Sequence, residues 1–138
     1  MALPYPFIPL PAGGVGGSAT TTELGIADNG VGSVGAADVP VRGAFLIVVT
    51  DSGGGGTQNG HFMYASYNTD AALGGDFAKR LLGNSRMRLE AYDTALTGTT
   101  GVNNAVTCSV RAAEVLQVEN RSGGTINVQV TFFAPPGT

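Results

Sequence analysis

The chain has 138 residues, enough for one domain with a packed core and too few for two. Apolar residues make up 43% and charged residues only 12%, with 22 glycines; this excludes a charged, weakly hydrophobic disordered chain and is unlike a helical protein. The net charge is −3, with Lys79 the single lysine, so the dense basic surface that phosphate neutralisation requires is missing and no direct nucleic-acid contact is expected.

The longest apolar run, Ala44 to Val49, is far too short to span a bilayer, and no membrane contact is expected. The opening Met1-Ala-Leu-Pro-Tyr-Pro6 has no basic region ahead of an apolar stretch, so it does not read as a secretory signal. One cysteine, Cys108, rules out an intrachain disulfide framework and suits synthesis in a reducing cytoplasm. Extra stability must then come from packing or oligomerisation. So sparse a charge content also suits a surface that another protein covers.

In chain order, residues 1–42 read as an extended arm. Five of the seven prolines lie there, and Pro4, Pro6, Pro9 and Pro11 alternate with Tyr5, Phe7, Ile8 and Leu10. Such a stretch is extended, not helical. It is also apolar, where a solvated linker would be polar, so it is expected against a surface. Gly13-Gly-Val-Gly-Gly17 offers a joint. Thr20 to Thr22 and Ala36 to Val41 are candidates for short edge strands.

Residues 43–134 read as the folded domain, with 135–138 as a tail. Ala44 to Thr50 is a continuous apolar strand, central in a sheet or buried on both faces. It runs into a glycine-rich turn at 51–60, and His61 to Tyr67 returns as the next strand. Asp76-Phe-Ala-Lys-Arg-Leu-Leu82 carries an acid first, bases late and Gly83 as a stop, the signature of a short helix. Arg86 to Tyr92 alternates, with Met87, Leu89 and Ala91 on one face. Ala105 to Arg111 puts Val106, Cys108 and Val110 inward. Val115 to Glu119 and Thr125 to Phe133 read as a hairpin through Asn120-Arg-Ser-Gly-Gly124. Its second strand turns Ile126, Val128, Val130 and Phe132 to one side, and Asn127, Gln129, Thr131 and Phe133 to a flat, uncharged other side, a surface that invites pairing with another chain. The expected fold is all-β, a β-sandwich or jelly roll with an extended Pro/Gly-rich arm and at most one short helix.

Few residues offer chemistry. His61 is the single histidine and reads as a strand-end side chain. Cys108 follows the pattern of a small buried hydrophobe, and nothing local would activate its thiol. Together they do not make a zinc site. Gly55 to Gly60 has the glycine spacing of a phosphate loop, but His61 and Phe62 stand where the lysine and hydroxyl belong. Glu90, Asp93, Glu114 and Glu119 are available as paired carboxylates, although turns and outward strand positions are where solvated acids sit. Asp28-Asn29 and Asp51 lack the regular acidic loop of a calcium site. Asn120-Arg-Ser122 is a formal glycosylation sequon that reads as turn chemistry. The expectation is a non-enzyme with no cofactor and no metal.

The stretch Leu96-Thr-Gly-Thr-Thr-Gly101, Cys108-Ser-Val110 and Val118-Glu-Asn-Arg-Ser-Gly-Gly-Thr-Ile-Asn-Val-Gln-Val-Thr-Phe132 resembles small β-rich virion proteins of tailed bacteriophages. In head-decoration and fibre-like members of that group, a Gly/Thr-rich loop, a strand and a Glu-Asn-Arg-x-Gly turn before a terminal alternating strand recur. Phe45 to Val49 followed by Phe62-Met-Tyr-Ala65 is similar to that group as well, so the resemblance covers residues 43–134. It implies a structural subunit made in the host cytoplasm and resident in the virion, coating or cementing the capsid. Its partners would be itself, as a homotrimer, and the major capsid protein or another virion protein. Tyr5, Phe7, Ile8 and Leu10 would form the arm's contacts. A fibre-tip or carbohydrate-binding module using loops 51–60 and 94–105, with Tyr64, Tyr67 and Tyr92 as stacking surfaces, is the alternative, and a capsid shell subunit is another.

Overall fold

The computed structural model describes residues 17–52 and 59–135. Nine strands run in order: β1 Ser18–Ile26, β2 Gly30–Val34, β3 Arg42–Ser52, β4 Phe62–Asn68, β5 Phe77–Gly83, β6 Met87–Leu89, β7 Val106–Arg111, β8 Val115–Asn120 and β9 Ile126–Ala134. They form a five-stranded sheet, β1-β9-β3-β4-β5, and a four-stranded sheet, β2-β8-β7-β6. The inward rows of both sheets share one hydrophobic core, giving the expected all-β sandwich.

Alternation decides which side of each strand is buried. Phe45, Ile47 and Val49 of β3 have no exposed surface, and neither do Met63 and Ala65 of β4. Val128 and Val130 of β9 face them from the neighbouring strand. Across the sandwich stand Met87, Val106, Cys108, Val110, Leu116 and Val118. Phe45, Tyr67 and Phe132 make an aromatic cluster with ring centroids 6.0 to 6.4 Å apart, within the range where tilted and edge contacts are favourable. The apolar run at β3 is thus the middle strand of five.

The boundary between arm and domain lies well before residue 42. Ser18–Ile26 pairs with β9 along its whole length, and Gly30–Val34 pairs with β8. These residues are poor in charge because they are sheet, not because they are linker. The strand expected at Ala36 to Val41 is instead a turn that buries Val39. The helix expected at Asp76 to Leu82 is also a strand: Phe77–Gly83 pairs antiparallel with β4, with a bulge opposite Tyr64/Ala65. Seven residues are too few to hold a helix by propensity, whereas pairing satisfies the backbone groups on the open side of β4.

The helical piece lies just upstream, a 3-10 turn at Ala71–Leu73. Asp70 caps it by accepting from the Ala72 amide at 2.9 Å, and Gly74 ends it in the left-handed region. Buried Asn68 organises this connection, donating to the carbonyls of Asp70, Leu73 and Gly75 at 2.9 to 3.2 Å.

The hairpin expected between residues 115 and 133 is not one. β8 belongs to the four-stranded sheet and β9 to the five-stranded sheet, so residues 121–125 form a corner that crosses the sandwich. Asn120 sets the corner by donating to the carbonyls of Ile26 (3.0 Å) and Gly124 (2.6 Å) and accepting from the Ser122 amide. Asp28, in the β1–β2 corner, accepts from the Gly123 amide at 2.9 Å. The true hairpin is β7–β8, turned through Ala112-Ala-Glu114 with Ala113 and Glu114 at positive φ.

Gly43 carries the tightest backbone approach in the five-stranded sheet. Its φ is +144°, and a β-carbon there would run into the Phe133 carbonyl oxygen. Gly35 sits in a turn where a β-carbon meets nothing within 4 Å. Gly43→Ala should therefore cost on the order of 3 kcal/mol in chemical denaturation, while Gly35→Ala should stay within about 0.5 kcal/mol.

Candidate interaction surface

The two outer faces of the sandwich are treated differently. On the four-stranded sheet, Leu116, Val118, Cys108 and Val110 point inward, so Gln117, Glu119, Thr107 and Ser109 point out. The segment 94–104 folds across these side chains. Glu119, with no exposed surface, accepts from the amides of Gly98 (2.8 Å), Thr100 (3.0 Å) and Gly101 (2.6 Å). Gln117 accepts from the Leu96 amide at 3.0 Å, Ser109 donates to the Thr94 carbonyl, and Arg121 donates to the Gly101 carbonyl. Gly98 takes a positive φ in the same loop, and a β-carbon there would run into the Asn29 carbonyl oxygen. The Gly/Thr-rich loop is therefore a lid over a polar sheet face, held by hydrogen bonds to a buried carboxylate, which are stronger than neutral ones.

The outer face of the five-stranded sheet has no such cover among the described residues. The strand registers lay out its rows: Ala19, Phe133, Ala44, Ser66 and Lys79; then Thr21, Thr131, Leu46, Tyr64 and Leu82; then Glu23, Gln129, Val48 and Phe62. Within these rows the three middle strands carry no formal charge; Arg42 and Asp51 stand at the two ends of β3, and Glu23 and Lys79 on the outermost strands. Phe133 is 40% exposed and Leu82 63%, while Leu46, Val48, Phe62 and Tyr64 are half-buried. Tyr64 and Phe133 meet edge to face with centroids 6.4 Å apart. A sandwich face turned to water is ordinarily polar, so a contiguous apolar patch here marks a contact surface. Beyond the third row the face ends in a shallow cleft of about 310 Å³, lined by Glu23, Gly25, Thr50 and Asn127.

The residues singled out from the sequence fall in several places. Tyr64 lies in the middle of this face. Tyr67 does not: it is 2% exposed, inside the aromatic cluster, with its hydroxyl donating to the Pro40 carbonyl at 2.9 Å. It follows Met63 and Ala65 in the inward row. Tyr92 packs against the core from outside the sheets; its phenol is shifted up by burial and by the carboxylates of Asp76, Asp93 and Glu114. The three tyrosines do not form one stacking surface. Loop 51–60 is described only at its ends, and Tyr5, Phe7, Ile8 and Leu10 lie outside the described residues.

Two of the four candidate acids, Asp93 and Glu119, serve the fold. Asp93 forms an ion pair with Arg111 at 2.9 Å and accepts from the Ala112 amide; the Arg111 hydrogen bond, then that amide, hold its carboxyl below the usual range. Glu119 is the clip described above, and Glu90 and Glu114 are half-buried. Asn120 of the sequon is fully buried with its amide engaged. Among the described residues, no three His, Cys, Asp or Glu side chains converge as metal ligands. A second cleft of about 290 Å³ is lined by Ser85, Arg86, Arg88, Asn103 and Asn104, with no histidine, cysteine or carboxylate in the lining beside the Ser85 hydroxyl. What sequence reasoning missed is the contribution of β3 and β4: the Asn127 to Phe133 row was visible, but not that Leu46, Val48, Phe62 and Tyr64 extend it.

Two measurements check this account. Glu119→Gln places an amide against backbone donors, so it should lose on the order of 3 kcal/mol and abolish hydrogen-exchange protection at Gly98, Thr100 and Gly101. Burial pushes the Cys108 thiol up to about 12, so above the unfolded value the unfolded chain releases a proton that the native chain keeps. Stability should then fall as pH rises from 9 toward 12, by at most about 1.4 kcal/mol per pH unit. Burial also raises the Tyr67 phenol, which adds a loss of the same sign at higher pH. Cys108→Ala should flatten the slope between pH 9 and 10, measured by denaturation at fixed pH.

Comparison with protein-family models, with curated proteins and with solved structures finds no match to this chain.

Proposed function

We propose that this chain is a structural protein of a bacteriophage virion, one that coats or cements the capsid. It assembles as a homotrimer and binds the major capsid protein or another virion protein through the outer face of its five-stranded sheet. The observation that carries the reading is the asymmetry of the sandwich. One outer face is polar and lidded by the chain's own loop, and the other has an uncharged middle from Ala44 to Val48 and across its neighbours, with Phe133 and Leu82 exposed. The N-terminal apolar residues Tyr5, Phe7, Ile8 and Leu10 supply a second contact with the same chemistry. Many copies on a lattice turn a modest contact into firm attachment. The resemblance of residues 43–134 to phage head-decoration and fibre-like proteins selects this assembly over others.

A glycan-binding reading is less well supported, because Tyr67 is core and Tyr64 and Tyr92 are not brought together. The fold also occupies two of the candidate acids, Asp93 and Glu119, in structural bonds, which favours a binding role over catalysis.

The test uses purified chain and empty capsid shells of the phage that encodes it. Light scattering behind a sizing column should give a defined trimer, and the protein should co-sediment with the shells. Leu46→Lys, on the outward face, should keep the solution mass, change stability by about 1 kcal/mol or less and reduce co-sedimentation at least tenfold. A monomer at every concentration would overturn the trimer. Undiminished co-sedimentation of Leu46→Lys would overturn the face as the attachment site.

A further inference from the structure

We infer that, in the free subunit, the chain's own segment Tyr5 to Leu10 covers the outer face of the five-stranded sheet, folding back over the glycines at 13–17, and that the assembly partner displaces it. This deepens the reading above by naming what occupies the face before the partner does.

Four observations lead there. First, the match is apolar on apolar: the segment offers Tyr5, Phe7, Ile8 and Leu10 and no charged side chain, and the middle of the face offers Leu46, Val48, Phe62, Tyr64 and Phe133, with its charges at the strand ends and sheet edges. Second, the segment starts in the right place. Ser18 pairs with Ala134 in β1, an edge strand of that sheet, so the chain arrives beside the first row of the face. Third, the reach is sufficient. β4 lies three strand spacings from β1, about 14 Å at ~4.8 Å each, and the seven residues from Gly17 back to Leu10 span up to about 23 Å at ~3.3 Å each. Fourth, the prolines decide between face and edge. Pro4, Pro6, Pro9 and Pro11 have no amide to donate, so this segment cannot extend the sheet as a further strand. It can lie across side chains.

The same segment of a neighbouring copy has identical chemistry. The tether favours the chain's own copy, since a short flexible connection gives an effective concentration on the order of millimolar, and four glycines in five residues place no side chain in the way of the reversal. Displacement then follows from competition for one surface. A partner with more apolar area removes the segment and frees it for contacts of its own.

The experiment is paramagnetic relaxation on the full-length protein. A nitroxide is attached at Ala2→Cys; Cys108, with no exposed surface, does not react in the native protein. In ¹⁵N-labelled, spin-labelled chain the amides of Leu46, Tyr64 and Thr131 should lose most of their intensity, while Ser33 on the opposite sheet keeps its own. Phe7→Ser/Ile8→Ser/Leu10→Ser with the same label should restore the three peaks, which separates docking from mere tethering. A mixture of ¹⁵N chain without the label and ¹⁴N chain with it should leave them intact. Unbroadened amides in the first sample, or broadening unchanged by the triple substitution, would overturn the cover and leave the capsid reading standing. Broadening in the mixed sample would overturn the intramolecular assignment and place a second copy's segment on the face. Failure of the unsubstituted chain to co-sediment with the shells, with the broadening intact, would sink the capsid reading alone.

Discussion

Two consecutive buried side chains, Glu119 and Asn120, determine how this sandwich closes. Asn120 ties the end of β1 to the corner after β8, so the chain must cross from one sheet to the other and cannot turn back as a hairpin. Only then do Ile126, Val128, Val130 and Phe132 face Leu116 and Val118 across a common core. Glu119 points the other way and gathers three amides of the 94–104 segment. A buried carboxylate without those donors would be severely destabilising, so loop and strand stabilise one another. One polar pair thus sets the topology and the cover of the four-stranded sheet.

The functional consequence lies on the opposite side. Because residues 94–104 are used on the four-stranded sheet, they are not available to the five-stranded one. β3 and β4 are central there, and their residues alternate apolar inward with apolar outward: Phe45, Ile47 and Val49 in the core, Leu46 and Val48 outside. Water does not reward that second row. Burial against another surface does. The edge strand β5 shows the contrasting device. Lys79 and Arg80 sit in the middle of it, where charge discourages pairing with the edge of another sheet. Contacts are thereby directed to the face.

Local pattern was a good guide wherever a strand's two faces differ in polarity. The inward rows at Val106, Cys108 and Val110, and at Ile126 to Phe132, follow directly from period two, and so does the outward row at Asn127 to Phe133. Local pattern misled where backbone pairing outweighs propensity. The Lys79-Arg-Leu-Leu82 stretch has the composition of a helix, yet it completes the edge of β4. Low charge in residues 18–34 looked like an arm, yet these strands need no charge because β8 and β9 pair with them. Tyr67 looked like a surface aromatic, although its spacing from Met63 and Ala65 already placed it inside.

Composition and periodicity alone determined the class of this protein: an all-β domain, poor in charge, with one long uncharged strand face and an apolar N-terminal stretch. These are local properties, set by which side of each strand repels water. What only the tertiary structure decided is which strands share a sheet and which face stays uncovered. Residues 115–133 encode two good strands and a turn, and that sequence suits a hairpin and a corner equally. The choice rests on Asn120 reaching Ile26, a contact across 94 residues of chain, and no local pattern carries information over that distance.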